Sequence, residues 1–175
     1  MSVFQDTLGD IFNRLPRSVR ELHRVDGQGN FEGRATVTAG SSLLAQAVSR
    51  IFGFPKTGGD VPVHIHIECC DDCEVWVRDF DGHSFRSEIR SAGRGRIFER
   101  LGLFEFEIDL SVRDHRLYWP VSSATFIGLH IPKFVLPISE TCEFEREGQF
   151  CFDVKLRLPI TQEEIVHYQG WLKKC

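Results

Sequence analysis

The sequence predicts a mainly β (α+β) protein whose antiparallel strands form a single β-barrel or a strongly curved half-barrel, with two or three helices near the N-terminus. From residue 61 onward, apolar and polar side chains alternate at period two, which is typical of strands with one buried face. Turn sequences such as Asp81-Gly82 separate these runs at hairpin spacing. The strands number about nine to ten, more than a flat sheet carries easily, so we expect the sheet to curl or to close.

The composition is that of an ordinary globular domain. The chain has 175 residues, of which 42% are hydrophobic and 26% are charged, which is enough for one sizeable core. We therefore expect a single domain over residues 1–175, with a helical portion and the first strand in 1–55 and the antiparallel sheet in 60–175. With 15 Phe, 3 Trp and 2 Tyr, most aromatic rings should fill a core or line an apolar cavity.

Charge and apolar patterning argue against several classes of protein. The formal net charge of -4 shows no basic excess, so we expect no nucleic-acid partner. The first residues lack the basic region and apolar run of a secretory signal, and no apolar run approaches the roughly 20 residues of a membrane span. We therefore expect a cytoplasmic protein without a membrane span, whose six cysteines are free thiols rather than a disulfide framework.

The N-terminal segment predicts two short helices and the first strand. Apolar residues recur at helical spacing over 2–13, Leu15-Pro16 interrupts them, and 18–23 predicts a second helix. Residues 27–33 carry three glycines near the spacing of a dinucleotide-binding loop. The third glycine falls one position late and the flanking elements are in the wrong order, so a turn is favoured. A strand through residues 31–37 follows.

A third helix is predicted over residues 43–52. Ser41-Ser42 can cap its start, while Gly53 and Pro55 mark its end. We expect its broad apolar stripe to pack on the sheet, because contact with a membrane or a partner is a less common use of such a stripe. The stripe consists of Leu43, Leu44, Ala47, Val48, Ile51 and Phe52.

The remaining strands follow from the alternation in the second part of the chain. Residues 128–138 are apolar but contain Gly128, Pro132 and Pro137, which predicts a crossing segment rather than a central strand. The predicted strands cover residues 61–68, 74–80, the return arm from 83, 97–101, 104–110, 117–119, 142–146, 150–156 and 165–172.

The nearest approach to a metal site is the cluster His64-x-His66-x-x-Cys69-Cys70-x-x-Cys73. Imidazole and thiolate groups are zinc ligands, and Cys70-x-x-Cys73 has the spacing of a zinc knuckle. A second well-spaced pair of ligands is lacking, so exposed histidines on a strand and thiols at a turn are favoured, and we assign neither a metal nor a cofactor. A redox role is weaker still, because a redox Cys-x-x-Cys normally begins a helix that lowers the thiol pKa.

The best-supported binding site is a group of residues on neighbouring strands. Trp76, Arg78 and Phe80 share one strand face because they lie two positions apart. An arginine between aromatic residues is either exposed or an inward charge held by an acid such as Glu99 or Glu140. Inside a barrel, the inward arrangement gives an apolar pocket with one polar anchor. The predicted ligand-binding residues are Trp76, Arg78, Phe80, Glu99, His167, Tyr168 and Trp171.

Several motifs together resemble the bacterial DUF4166 family. The main ones are Trp76-x-Arg78-x-Phe80, Gly82-x-x-Phe85-x-Ser87, Glu99-Arg100-x-Gly102, Phe150-x-Phe152-Asp153, Pro159 and His167-Tyr168-x-Gly170-Trp171-Leu172. Further similarity occurs at Gly33-Arg34-Ala35 and Asp60-Val61-Pro62-Val63, so the resemblance spans nearly the whole chain.

The resemblance implies a fold, a bacterial cytoplasmic setting and a domain of unknown function, but no reaction. Members of the family occur alone or fused behind oxidoreductase-like domains of the saccharopine dehydrogenase type, which implies an oxidoreductase-like partner domain. The chain departs from the family pattern at Thr161-Gln162-Glu163-Glu164, where members have glycine and apolar residues, and at Cys69-Cys70-x-x-Cys73.

Three functional hypotheses follow. The first is a non-catalytic binding module that holds an apolar or amphipathic small molecule, with Arg78 as its anchor and an apolar or anionic molecule as the expected partner. The second is an enzyme that uses Arg78, Glu99 and His167, which requires His167 within hydrogen-bond reach of a ligand. Neither G-x-S-x-G nor H-E-x-x-H occurs, so no catalytic residue is assigned. The third is a structural or interaction domain whose interior the phenylalanines fill.

Overall fold

The structure is a computed structural model that describes residues 2–175. Over these residues, one antiparallel sheet of 13 strands forms the body of the protein, and three α-helices lie near the N-terminus. The helices are α1 (Val3–Leu8), α2 (Arg17–His23) and α3 (Leu43–Phe52), and a 3-10 segment (Gly9–Arg14) joins the first two. The mainly β class and the N-terminal helices are confirmed, but a closed barrel of nine or ten strands is wrong.

The sheet is open and its strands pair in an order that differs from their order along the chain. The strands are β1 (Gln28–Ala39), β2 (Gly58–Cys69), β3 (Cys73–Phe80), β4 (His83–Gly93), β5 (Arg96–Leu101), β6 (Phe104–Asp109), β7 (Ser111–Arg113), β8 (Arg116–Tyr118), β9 (Val121–Phe126), β10 (Leu129–His130), β11 (Ile138–Arg146), β12 (Gln149–Arg157) and β13 (Glu164–Lys174). Their order across the sheet is β10-β9-β6-β5-β4-β3-β2-β1-β13-β12-β11-β8-β7. Two edges remain, at β10 and β7.

The sheet has more strands than predicted because strands end where the alternation of apolar and polar residues breaks. The predicted strand over 104–110 ends at Asp109, and the chain resumes pairing in β7. Trp119 and Pro120 separate β8 from β9, because proline has no amide hydrogen for a ladder. The segment 128–138 is a crossing segment as predicted, except that its first residues form the two-residue edge strand β10.

The sheet curves so that its two halves face one interior. Strand β8 pairs with β11, whereas β9 pairs with β6 on the other half of the sheet. The link between β8 and β9 is bonded on both sides: the Trp119 amide donates to the Thr141 carbonyl at 3.1 Å, and the Asp109 amide donates to the Pro120 carbonyl at 3.0 Å. The chain therefore joins the two halves where the ladder itself is interrupted.

Helices cover both ends of the curved sheet. Helix α1 begins at Ser2, whose hydroxyl caps it, and the Val3 amide donates to the buried Glu74 carboxylate at 2.8 Å. Helix α3 lies at the opposite end, where the turns β3–β4, β5–β6, β9–β10 and β12–β13 also lie; we call this the α3 end. Ser42 caps α3 and Gly53, with φ +69°, ends it, which confirms the predicted signals.

Helix α3 buries less of its apolar surface than expected. Ala45 is fully buried, and Val48 and Phe52 are half-buried against the sheet. Leu43 and Ile51, in contrast, are 86% and 66% exposed. The expectation that the whole stripe packs on the sheet is therefore wrong for its outer residues, because α3 lies across the end of the sheet and only one side meets it. Among residues 2–175, no helix is long and apolar enough to cross a membrane.

Candidate functional site

A cavity of about 150 Å³ lies between the two halves of the sheet. At roughly 10–15 Å³ per water centre, this space takes on the order of ten waters, or roughly 300 Å³ of molecular volume, which is the lower end of small-molecule sites. Its wall is mostly apolar and rich in phenylalanine. The phenylalanines include Phe52 and Phe54 beside α3 and Phe85, Phe106, Phe150 and Phe152 on the sheet.

Five of the seven predicted ligand-binding residues line this cavity. Trp76, Arg78 and Phe80 do so from β3, Glu99 from β5 and Tyr168 from β13. The first three project inward together because alternate residues of a strand share a face. Trp76 and Phe80 are buried, so the inward face of β3 follows the alternation seen in the sequence.

Arg78 is held by one acid, one hydroxyl and two aromatic rings. Its Nη2 lies 3.2 Å from Oε1 of Glu99, and the two side chains are only 12% and 14% exposed. Its Nη1 donates to the Ser87 hydroxyl at 2.7 Å. The guanidinium carbon lies 4.8 Å from the ring centroid of Trp76 and 5.5 Å from that of Phe85. The inward pairing of Arg78 with Glu99 is therefore confirmed.

Glu140, the other acid considered for Arg78, lies elsewhere. It is exposed and pairs with Arg157 on the adjacent strand β12. A guanidinium carries five N–H donors. Within residues 2–175, the Ser87 hydroxyl and the Glu99 carboxylate are the polar groups against the Arg78 head, so N–H groups remain for a molecule in the cavity.

Tyr168 contributes a hydroxyl that stays protonated. Burial raises the pKa of Tyr168 to about 12, and the nearby positive charge of Arg78 only partly offsets this effect. The ring packs edge-on against Phe80, with centroids 5.2 Å apart, and near Phe152 at 6.2 Å. The hydroxyl can therefore donate a hydrogen bond at any pH near neutrality.

A second buried acid faces the cavity, and the sequence did not identify it. Glu143 on β11 lines the cavity, and its Oε2 lies 2.5 Å from Nε2 of the buried His23 on α2. Ser139 and Thr141 line the cavity from the same face of β11. Alternation groups these three side chains, but both faces of β11 carry polar residues, so the pattern does not show which face is inside.

His167 and Trp171 lie on the other face of the sheet. On β13, Tyr168 and Leu172 point inward, and His167 and Trp171, each one position earlier, point outward. His167 lies in an outer groove, where its Nε2 is 2.8 Å from Oδ1 of Asp153. The three residues of the enzyme hypothesis, Arg78, Glu99 and His167, thus do not share a cavity.

The candidate zinc cluster is arranged differently from a metal site. Cys70 and Cys73 form a disulfide, so neither offers a thiolate. His64 is exposed, and Nδ1 of His66 pairs with the Asn30 side chain at 2.8 Å. In the described residues 2–175, no group of three or more His, Cys, Asp or Glu side chains could hold a metal ion.

The disulfide corrects the expectation of six free thiols. The β2–β3 turn brings the Cα atoms of Cys70 and Cys73 to 5.0 Å, which is within disulfide range. The free cysteines are Cys69, Cys142, Cys151 and Cys175. Burial raises the pKa of the Cys69, Cys142 and Cys151 thiols, which makes each of them a poor nucleophile.

Comparisons with known proteins extend the sequence resemblance. The family model DUF4166, "Domain of unknown function (DUF4166)", matches residues 15–172. No curated protein matches the sequence. Among solved structures, the crystal structure of Rv2717c from M. tuberculosis is similar, with 12% sequence identity and a TM-score of 0.48, covering 92% of this chain and 99% of that chain.

Proposed function

The chain belongs to the DUF4166 family, whose function is unknown, and we propose that it is a non-catalytic binding module for an apolar or amphipathic small molecule. The observation that carries the proposal is an apolar, phenylalanine-rich cavity that contains one buried cation, Arg78. Ligand sites typically combine an apolar wall with a few polar groups that orient the ligand. Trp76, Phe80, Glu99 and Tyr168 are the other residues that we propose contact the ligand.

The charges in the cavity favour an uncharged polar head group. Glu99 already balances the charge of Arg78, and Glu143 adds a second carboxylate to the wall. An anionic ligand would compete with Glu99 for the guanidinium and approach a second acid, which costs free energy in a poorly hydrated site. A hydroxyl or carbonyl group can accept hydrogen bonds from Arg78 and Tyr168 without displacing either acid. An anionic molecule is the less favoured ligand.

A fluorescence titration with the uncharged apolar amine N-phenyl-1-naphthylamine tests the proposal. Val154 lines the cavity beside Tyr168 on the neighbouring strand, so Val154→Phe places a ring in the cavity. Val77, on the outer face of β3, gives the matched control Val77→Phe. We expect the native protein and the control to enhance the fluorescence alike, and the cavity variant to bind at least about tenfold more weakly.

Two results would refute the cavity proposal. One is the absence of any fluorescence enhancement with the folded native protein. The other is equal affinity of Val154→Phe and the native protein, which would place the probe on the outer surface. The anionic probe 1-anilinonaphthalene-8-sulfonate tests the preference for an uncharged ligand, because it should bind more weakly than N-phenyl-1-naphthylamine.

The setting of the protein is a separate part of the proposal. The family resemblance supports a cytoplasmic location and an oxidoreductase-like partner domain. The Cys70–Cys73 disulfide counts against a strongly reducing compartment, where such bonds are uncommon. The enzyme hypothesis has less support, because His167 lies outside the cavity that contains Arg78 and Glu99.

A further inference from the structure

The exposed large hydrophobic side chains are concentrated at one end of the molecule. Within residues 2–175, eleven such side chains are exposed, and all except Ile11 lie on α3, in the β5–β6 and β12–β13 turns, or in the segment from Phe126 to Val135. Scattered exposed apolar residues are normal in globular proteins, but a concentration at one place indicates an interaction surface. The most exposed include Leu43 and Ile51 on α3, Leu129 and Phe134 after β9, and Ile160 in the β12–β13 turn.

Direct contacts join these residues into one surface. The ring of Phe52 on α3 lies 4.9 Å from that of Phe104, and Phe104 lies 4.8 Å from Phe126. The Ile127 amide donates to the Leu103 carbonyl at 3.0 Å. Helix α3, the β5–β6 turn and residues 126–127 are therefore adjacent, and we call this surface, together with the residues that follow as far as 135, the apolar face.

Helix α3 has a broad apolar side that is only partly covered, and Gln46, Ser49 and Arg50 form its polar side. Ala45, Val48 and Phe52 face the protein, while Leu44 and Ile51 are 60% and 66% exposed. The apolar stripe of a surface helix normally faces the core, so an uncovered part of the stripe is unusual. The outer side of α3 therefore has the composition of a contact surface.

The charges around the apolar face are basic. Residues 41–57 and 126–137 contain Arg50, Lys56 and Lys133, which are all exposed, and no Asp or Glu. The chain as a whole carries a formal charge of -4, so this distribution is a local property. Acidic residues lie on the flanking turns, namely Asp60, which pairs with Arg34, Asp81 in the β3–β4 turn, and Glu163.

We propose that the apolar face binds the surface of a bilayer that contains anionic phospholipid. Exposed apolar side chains flanked by Lys and Arg are the features of interfacial membrane contact, in which the helix lies in the plane of the interface and does not span it. A partner protein with an acidic groove would be negatively charged like the anionic bilayer. It would bind the face without any lipid. The proposal does not depend on a ligand in the cavity, since the exposed apolar and basic residues that it uses do not line the cavity.

Vesicle co-sedimentation tests the proposal with the full chain. We expect the protein to sediment with vesicles of equimolar phosphatidylcholine and phosphatidylglycerol, and more weakly with phosphatidylcholine alone. Each basic residue near an anionic surface contributes about fivefold in binding, so replacing Arg50, Lys56 and Lys133 by glutamine should weaken it about a hundredfold. The double variant Leu44→Ser/Ile51→Ser should also weaken binding, on both kinds of vesicle.

A control variant at the opposite end of the molecule distinguishes binding through the apolar face from nonspecific binding to vesicles. Ile11 is 45% exposed in the 3-10 segment, and Ile11→Ser should bind vesicles as the native protein does. Circular dichroism verifies that each variant is folded. The proposal is overturned if the native protein does not sediment with anionic vesicles, or if the α3 variants bind unchanged. It is also overturned if sedimentation velocity shows a dimer that the α3 double variant abolishes, because a second copy would then cover the face.

Discussion

Replacing Arg78 with methionine should destabilise the protein strongly, because it leaves Glu99 as an unpaired charge in the interior. The two side chains are 12% and 14% exposed, so little water reaches the carboxylate. Removing one partner of a buried pair costs about 3–5 kcal/mol, and the water that the cavity admits should keep the cost near 3 kcal/mol. In a domain of this size, each kcal/mol lowers Tm by about 2–4 °C, so a loss of roughly 6–12 °C is expected.

The double variant Arg78→Met/Glu99→Leu is the informative comparison. Replacing both charges with apolar groups of similar size should restore stability to within about 1 kcal/mol of the native protein. Urea unfolding followed by circular dichroism measures both variants, and Glu99→Leu completes the double-mutant cycle. If Arg78→Met unfolds at the same urea concentration as the native protein, or if the double variant is as unstable as the single one, Glu99 is not an unpaired buried charge in the single variant.

Three further predictions test other parts of the structure. The pKa of Tyr168 is raised from its usual 10 to about 12, so the folded state holds this proton more tightly than the unfolded state does. This difference contributes up to about 3 kcal/mol to the free energy of unfolding. The contribution is complete below pH 10 and is lost as the pH rises toward 12. Stability measured across that range should therefore fall less steeply in Tyr168→Phe. A Cβ at Gly170 would lie 2.1 Å from a backbone carbonyl oxygen of β1, so Gly170→Ala should cost about 3 kcal/mol in chemical unfolding; Gly59→Ala, in open space, should differ by less than about 1 kcal/mol. Glu74→Gln should cost about 2 kcal/mol and speed amide exchange in α1, because the Glu74 carboxylate accepts from the Val3 amide and from the Trp76 indole; unchanged exchange would mean that this contact does not hold α1.

The strand faces could be predicted from the sequence wherever one face is apolar. Along β2, Val63 and Ile67 are fully buried, while His64 on the opposite face is exposed. The same alternation placed Trp76, Arg78 and Phe80 on one face of β3, although it left open whether Arg78 is exposed or inward. These parts of the fold depend on local periodicity alone.

The predictions that were wrong concern features that depend on long-range geometry. Periodicity does not show whether a curved sheet closes, because closure depends on the pairing of distant strands, and the link through Trp119 and Pro120 interrupts the ladder. His167 and Tyr168 are adjacent on one strand and cannot both point inward, so alternation argues against grouping them. Glu143 was missed because its strand has polar residues on both faces.

The exposure of α3 was also beyond sequence reasoning. Its apolar stripe is broad, and only the position of α3 across the end of the sheet determines which residues of the stripe are covered. Leu43 remains 86% exposed, whereas Ala45, two residues later, is completely buried. Apolar residues that the composition predicts to be buried are thus exposed, and their exposure supports the proposed membrane contact.

Native mass spectrometry of the protein purified from its own host shows whether the cavity beside Arg78 holds a small molecule, as we propose. We expect a peak heavier than the polypeptide by the mass of one small organic molecule, and solvent extraction should recover an uncharged amphipathic compound. The same preparation of Val154→Phe should show the polypeptide mass alone. A native protein that shows only its polypeptide mass under gentle ionisation, from every preparation, would contradict the claim.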